Sequence, residues 1–181
     1  MRKNSLSKPI FVVLAVLCLT TSCNRAKEQA ASSSDSGATG KTKALRHSVD
    51  VVKATVKEVS IKAGGEGDAI VQLSIENGYH VNANPPTFPY LIPTELQLPQ
   101  SRGVTTNLVV YPNALTKTFP FAEKPLAVYE GVIDIKAKLK VDKTTKPGQH
   151  DLPAKLQVQA CDNQVCYAPG TLEVTIPLIV K

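Results

Sequence analysis

The sequence predicts an all-β chain, an immunoglobulin-like antiparallel β-sandwich, and three observations support this fold class. Apolar and polar residues alternate along several short runs, segments rich in Gly, Asn and Pro separate those runs, and no stretch of similar length shows a helical period. Alternation with one polar face is typical of antiparallel strands that bury one side of a sheet. Several such strands separated by turns indicate two sheets packed face to face.

Four runs carry the alternation, and turn residues lie between them. The runs cover residues 70–76, 133–141, 152–160 and 172–180, with apolar side chains at every second position. Between them, clusters of Gly, Asn and Pro favour tight changes of chain direction. Residues 47–181 are enough for one domain with a hydrophobic core, and we expect no second folded domain.

The first 22 residues have the features of an export signal. Three basic residues, Arg2, Lys3 and Lys8, precede an apolar run at 10–19. This run of ten residues is too short for a membrane-spanning helix, which needs about 20, but it suits the core of a signal peptide. The sequence therefore predicts that the folded part works outside the cytoplasm, where disulfides can persist.

The residues after this signal predict a lipid anchor and a flexible tether. Small residues precede Cys23, a pattern that resembles the lipobox of bacterial lipoproteins, in which the cysteine is lipidated. An ordinary secreted protein cut nearby is the alternative. Residues 23–46 are rich in Ser, Ala, Gly, Lys and Thr and are predicted to form a disordered tether. Asn24 is not the aspartate associated with inner-membrane retention, which favours the outer membrane.

Charge and motifs exclude several classes of function. The formal net charge of +6 falls to +3 when the three basic residues of the predicted signal leave, and no Arg-rich patch interleaved with aromatics points to nucleic acid. No Ser/His/Asp arrangement, paired catalytic carboxylates or phosphate-binding loop stands out. The sequence gives no support for hydrolase or transferase chemistry, and it predicts no cofactor.

Two cysteines late in the chain, Cys161 and Cys166, are the strongest candidates for chemistry. On one extended strand their α-carbons would be roughly 16 Å apart, whereas a disulfide needs about 4.4–6.8 Å. We therefore expect a turn at 162–164, so that the pair would clip a tight hairpin. By alternation Cys161 falls on the face opposite Leu156 and Val158, which predicts an accessible sulfur. The residues alone leave an inert clip and a redox couple equally open.

The neighbours of this pair predict its reactivity. Asp162 is adjacent to Cys161, and no Lys, Arg or His lies within several positions. Nothing local would strongly lower a thiol pKa. We expect sulfurs that are attacked by the activated thiolate of a partner rather than a fast attacking nucleophile.

Two aromatic-rich and proline-rich stretches are further candidates. In the first, at 78–93, His80 and Asn82 could be ligands or acid/base groups, although a turn followed by an irregular edge is the simpler interpretation. A soft-metal site of His80 with both cysteines is a further alternative. In the second, at 117–131, Phe119 and Phe121 flank a proline, and they predict either core residues or a hydrophobic lid.

Four segments give the chain a family resemblance. They are 78–84, 92–98, the Phe119-Pro-Phe motif with Tyr129-Glu-Gly131, and 159–169 around both cysteines. Together they resemble the periplasmic N-terminal domain of the thiol–disulfide interchange protein DsbD, also called the disulfide-bond corrector domain. The resemblance covers roughly residues 47–181 and implies an immunoglobulin-like sandwich with a redox-active cysteine pair.

The resemblance also implies roles for individual residues and partners. Cys161 and Cys166 are the exchanging pair, and Cys166 enters mixed disulfides. The segment from Phe119 to Phe121 is a cap that opens on docking, and Tyr129 and Tyr167 are candidates for packing beside the pair. Such domains take electrons from a thioredoxin-like donor and pass them to periplasmic disulfide oxidoreductases.

Two departures from the family pattern shape the final prediction. The best-known members have one more residue between the cysteines, and they continue into a membrane-spanning conduit and a thioredoxin-like domain. We therefore expect a separate electron donor and a lipid anchor in place of the membrane part. The predicted function is a periplasmic thiol–disulfide exchange module that depends on partner proteins. The alternatives are a non-catalytic binding or scaffolding lipoprotein with a structural disulfide, and a metal-handling module.

Overall fold

Three four-stranded β-sheets make up the part of the chain that the structure, a computed structural model, describes. That part is residues 46–101 and 103–181. The predicted signal peptide, the lipidation residue Cys23 and the tether up to residue 45 lie outside the described residues. Among the described residues, no helix has the length and apolar character needed to span a membrane.

The first sheet is antiparallel, and the sequence predicted the alternation of its two central strands. In spatial order its strands are β1 (Val52–Val56), β3 (Glu66–Ile75), β9 (Val132–Val141) and β6 (Val104–Val110). The central pair aligns Val71 with Ile135, so that two fully buried side chains meet on the inner face. A short 3-10 helix, Ser48–Val51, leads into β1.

The second sheet completes the sandwich and contains one parallel pair. Its strands in spatial order are β2 (Val59–Ile61), β12 (Gly170–Val180), β10 (Gly148–Val158) and β5 (Glu95–Gln97). β10 and β12 pair along eleven residues and are antiparallel, whereas β2 runs parallel to β12. This short parallel pair at the edge is the exception to the antiparallel pairing of the described sheets.

One apolar core joins the inner faces of these two sheets. The alternate residues of β3 and β9 belong to the same buried cluster as those of β10 and β12. Their charged neighbours, mostly lysines on β9, face solvent. Burying a side chain such as Leu73 or Ile176 contributes about 1.5–3 kcal/mol, so this core supplies the main stabilisation. The predicted immunoglobulin-like β-sandwich is confirmed.

The third sheet is small and was not apparent from the sequence. Its strands in spatial order are β11 (Ala160–Cys161), β4 (His80–Asn82), β8 (Leu126–Tyr129) and β7 (Leu115–Lys117), all antiparallel. Strands of two to four residues are too short for a visible alternation. This sheet holds both aromatic-rich stretches beside the cysteine pair.

Candidate functional site

The site is built on a hairpin in which the two cysteines face each other directly. Cys161 and Cys166 form an antiparallel bridge and are joined by a disulfide with an S–S distance of 1.99 Å. The amide of Asp162 donates to Val165 O and that of Tyr167 to Ala160 O, which makes the cysteines a non-hydrogen-bonded pair. Such pairs approach most closely, which agrees with their Cα–Cα distance of 3.9 Å. The predicted tight hairpin is present.

Asp162 holds the turn between the cysteines. Its Oδ1 accepts hydrogen bonds from the amides of Gln164 (2.8 Å) and Val165 (2.9 Å), and its Oδ2 accepts one from the hydroxyl of Tyr167 (2.5 Å). A carboxylate that accepts from amides two and three residues ahead replaces backbone acceptors in a turn. The turn is therefore fixed by hydrogen bonds as well as by the disulfide.

A short break at Gln159 separates β10 from the strand that carries Cys161. β10 ends at Val158 and β11 starts at Ala160, and the alternation continues across the break, because Leu156, Val158 and Ala160 all belong to the main core cluster. The Gln159 Oε1 atom accepts hydrogen bonds from Asn82 Nδ2 and the amide of Ile92, which holds the break in place. Cys161 lies on the predicted face but is fully buried, because a second apolar cluster covers that face, so the accessible sulfur predicted for it is wrong. Cys166 is half-buried.

The third sheet separates the cysteine site from the main core. Register pairs Ala160 with Val81 and Val81 with Tyr129, and all three side chains belong to the main core cluster. Because neighbouring residues point to opposite faces, Cys161 and His80 share the other face. A second apolar cluster, with Phe119, Leu126 and Val128 at its centre, covers that face.

Phe119 is the centre of this second cluster and Phe121 is its exposed edge. Phe119 is 5% exposed and stacks on His80 with ring centroids 4.0 Å apart. Phe121 is 39% exposed and stacks on Phe119 at 5.4 Å. Both belong to the connection between β7 and β8, where Ala122 N donates to Phe119 O and closes a turn. The two phenylalanines thus form a short loop over the face that carries Cys161.

An apolar groove of about 520 Å³ opens beside Cys166, and the sequence analysis did not identify most of its lining. Phe88, Tyr90, Phe121 and Val165 are among the residues that line it. Tyr90 is 73% and Val165 51% exposed, and Phe88 stacks on Tyr90 at 5.2 Å. Exposed apolar patches of this kind mark interaction sites. The aromatic density of residues 78–93 was a signal for this surface.

The two tyrosines singled out from the sequence occupy different places. Tyr129 is buried in the main core on the opposite face of the third sheet from Cys161, and its hydroxyl accepts a hydrogen bond from Asn84 N at 3.2 Å. Tyr167 lies at the hairpin, where its hydroxyl binds Asp162 and its ring lies 6.0 Å from that of Tyr79. The structure brings Tyr167, but not Tyr129, to the cysteine hairpin.

His80 is the titratable side chain that tertiary structure brings beside Cys161. It is 1% exposed, and its Nε2 has no hydrogen-bond partner among the described residues. Burial lowers the pKa of His80, and Lys117 lowers it further, whereas Glu130 and Asp162 raise it. Asn82, the other polar candidate, instead donates structural hydrogen bonds to Ile92 O and Gln159 Oε1. In residues 46–101 and 103–181, no group of three or more His, Cys, Asp or Glu could hold a metal ion.

Replacing Tyr167 with Phe should loosen the hairpin in a pH-dependent way. The hydrogen bond to Asp162 raises the pKa of Tyr167 to about 12. Because the pKa is raised on folding, the stabilisation by this hydrogen bond is complete below the unfolded pKa of about 10. It is lost as the pH rises towards about 12. We expect Y167F to lower the free energy of unfolding by about 1 kcal/mol at neutral pH.

The check is urea unfolding of Y167F and wild type at several pH values. The difference between them should shrink through the window from about pH 10 to about pH 12. Y90F is the matched control because Tyr90 is largely exposed, and it should match wild type throughout. A difference between Y167F and wild type that stays constant across this window would contradict the assignment.

The chain is similar to known thiol–disulfide interchange domains in sequence pattern and in fold. The family model described as thiol:disulfide interchange protein DsbD, N-terminal, matches residues 48–177. Among solved structures, the N-terminal periplasmic domain of ScsB from Proteus mirabilis is similar at 15% identity, over 69% of this chain and 44% of that one, with a TM-score of 0.48. The reduced Neisseria meningitidis DsbD N-terminal domain is similar at 15% identity, over 70% and 85%, with a TM-score of 0.45.

The matches differ in how much of each protein they cover. The chain spans less than half the length of the ScsB chain, and no curated protein sequence matches it significantly. The family match, by contrast, extends from the first turn of the described domain into its last strand and includes both cysteines. The chain therefore belongs to the family of DsbD N-terminal domains of thiol:disulfide interchange proteins.

Proposed function

We propose that Cys161 and Cys166 form a redox-active pair that relays reducing equivalents outside the cytoplasm. A thioredoxin-like donor would reduce the pair, and the pair would then reduce disulfide oxidoreductase clients. The observation that carries this proposal is the asymmetry of the disulfide. Cys161 is fully buried under an aromatic cap, whereas Cys166 is half-buried and lines an open apolar groove.

This asymmetry selects the sulfur that a partner attacks. A donor thiolate approaching along the groove meets Cys166 Sγ, and the S–S bond breaks with its electron pair passing to Cys161 Sγ. The second donor thiol then attacks the donor sulfur of the mixed disulfide, which oxidises the donor and leaves two thiols on this chain. The same steps in reverse order transfer two electrons to an oxidised client.

The cap supports a gated exchange rather than an open one. Phe119 and Phe121 lie on the connection between β7 and β8, beside the groove that Cys166 lines. Displacement of this short loop by a docking partner would uncover Cys161 and widen the access to the half-buried Cys166 during exchange. Small thiols and oxidants would then react slowly with the free protein.

A purely structural role has less support from the geometry. The disulfide closes a loop of only four intervening residues, for which the chain-entropy model gives less than about 3 kcal/mol. The amides of that loop are already held by Asp162. A bond that joined the two large sheets would constrain the chain far more. We therefore rank a scaffolding lipoprotein with a structural disulfide second.

The proposed location follows from the N-terminal sequence. Export by residues 1–22 and lipidation at Cys23 would anchor the domain in the periplasm, at the outer membrane if Asn24 directs sorting. A tether of about 23 residues with a typical end-to-end distance of roughly 25–30 Å would let the domain reach soluble partners. Metabolic labelling with a fatty acid, compared between wild type and C23A, tests the anchor.

Redox equilibration of the full chain tests the relay. The fraction of Cys161–Cys166 disulfide is measured by thiol alkylation and mass spectrometry in buffers of defined dithiol/disulfide ratio. We expect a midpoint between about −270 and −120 mV, the range of thioredoxin-like partners, and equilibration within minutes once such a protein is added. A midpoint below about −300 mV, with no acceleration by a thioredoxin-like protein, would instead identify a structural disulfide.

A further inference from the structure

His80 and Cys161 are partners in the third sheet. Residues paired in register present their side chains to the same face, with Cβ atoms about 4.5–5.5 Å apart. On its other side β4 pairs with β8, Val81 with Tyr129 and Asn82 with Val128. Extended by one residue, this register places Glu130 opposite His80. The imidazole is thus the immediate lateral neighbour of the buried sulfur.

The His80 ring carries an unused polar atom. Its Nε2 is buried without a hydrogen-bond partner among the described residues, and Phe119 covers the face of the ring. A buried polar atom that lacks a partner destabilises the fold, and such atoms are rare in native proteins. In the disulfide form Cys161 has no proton to share. Reduction of the disulfide creates an S–H group on Cys161. The imidazole of His80 then has a hydrogen-bond donor beside it in the reduced state and none there in the disulfide state.

The charges around His80 favour a neutral ring that can accept a proton. Three charged groups act on it: Glu130 directly after β8, Lys117 from β7 and Asp162 from the hairpin turn. Burial outweighs them and lowers the pKa of His80. Lys117 and Glu130 form an ion pair at the rim of an open polar pocket of about 440 Å³ that His80 also lines. A proton taken from the buried side can therefore pass to solvent.

We propose that His80 is the proton acceptor for the Cys161 thiol in the step that resolves a mixed disulfide at Cys166. This role rests on the proposed relay. As the Sγ–H bond of Cys161 breaks, its proton moves to the imidazole, and Cys161 Sγ forms a bond with Cys166 Sγ. The bond between Cys166 and the client sulfur breaks, and its electron pair leaves on the client thiolate. The chain is oxidised to the disulfide, and the client is reduced by two electrons.

The test follows the resolving step by itself. The reduced full chain, with Cys18 and Cys23 replaced by Ser so that Cys161 and Cys166 are the remaining thiols, is mixed with 5,5′-dithiobis(2-nitrobenzoic acid), which forms a mixed disulfide at Cys166 and releases one thionitrobenzoate. Attack by Cys161 releases the second, in a phase that does not depend on reagent concentration. For wild type, the rate of this second phase should be nearly flat between about pH 7 and pH 8, because the neutral imidazole already serves as the base.

In H80F, which keeps an aromatic ring under Phe119, only hydroxide can remove the proton. Its second phase should be about 10–100-fold slower at pH 7 and should rise about tenfold per pH unit up to the thiol pKa. H80Q also lacks a titratable base and should show the same slow, pH-dependent second phase. It replaces H80F if circular dichroism shows that H80F does not fold. H150Q is the matched control, since His150 lies on β10 with its Nε2 at 2.8 Å from Lys146 O, and it should match wild type.

The outcomes separate the two proposals. If H80F and H80Q keep a flat profile, or are slower by the same factor at every pH, His80 is not the proton acceptor and the relay still stands. If wild type releases no second thionitrobenzoate, Cys161 does not resolve the mixed disulfide, and both the relay and the role of His80 are overturned.

Discussion

Replacing Cys161 with Ser should leave a chain that accumulates covalent complexes through Cys166, whereas replacing Cys166 with Ser should leave a chain that forms none. In the proposed relay, the buried Cys161 is the resolving sulfur, and Cys166, which lines the groove, is the point of entry. Without the resolving sulfur, the mixed disulfide persists. We expect turnover with a thioredoxin-like donor to fall by about 10³-fold or more in both variants, because each lacks one partner of the exchanging bond.

Non-reducing electrophoresis with mass spectrometry of the reducible bands measures this difference. C161A is the matched control, because alanine places no hydroxyl in the buried position and should trap partners as C161S does. Trapping through Cys161 in C166S, at a level equal to that of Cys166 in C161S, would contradict the assigned order of the two sulfurs. Trapped proteins that carry a thioredoxin-like pair would identify the donor class.

Replacing Phe119 with Ala should expose the disulfide and also destabilise the domain. The ring is buried against His80 at the centre of the second apolar cluster, so its loss removes packing on both sides. We expect a decrease of about 3 kcal/mol in the free energy of unfolding, near the low end for Phe→Ala because this cluster is small. With the cap gone, reduction of the disulfide by dithiothreitol should accelerate by roughly tenfold, which corresponds to about 1.4 kcal/mol in the barrier.

Two control variants separate gating from general destabilisation. L73A removes a fully buried side chain from the first sheet, whereas the hairpin belongs to the third. We expect L73A to lower the free energy of unfolding by about 2–5 kcal/mol without faster reduction. F121A removes a partly exposed ring of the same loop and should destabilise less while it still accelerates reduction. If L73A and F119A are reduced at equal rates, global unfolding rather than the cap controls access to the sulfurs.

The patterns along single strands predicted a large part of the fold. Apolar residues occupy every second position over 133–141 of β9 and 152–158 of β10, and the structure turns the predicted face of each inward. The hairpin between the cysteines was also predictable, because five positions of extended chain cannot bring two sulfurs into bonding distance. Asp162, the turn former beside Cys161, indeed supplies the acceptors of that turn.

Contacts between segments that are distant in the sequence were predicted wrongly or not at all. Cys161 lies on the predicted face, opposite Ala160, but the apolar cluster around Phe119 comes from distant segments and covers that face. His80 lies 81 positions before Cys161, so the absence of a nearby histidine in the sequence said nothing of the imidazole beside the sulfur. Strands of the third sheet have only two to four residues, too few for any periodicity.

The sequence by itself determined that this is an all-β domain with a cysteine pair clipped across one turn, because side-chain alternation and chain reach are local properties. Tertiary structure alone decided which sulfur is buried, that Phe119 covers the face bearing it, and that Tyr129 supports the sheet from the core side. These depend on the pairing of β4 with β11 and β8, segments that are separated in the sequence and joined by backbone hydrogen bonds. Pairing of this kind sets the face and the neighbours of each residue, and a linear pattern does not encode it.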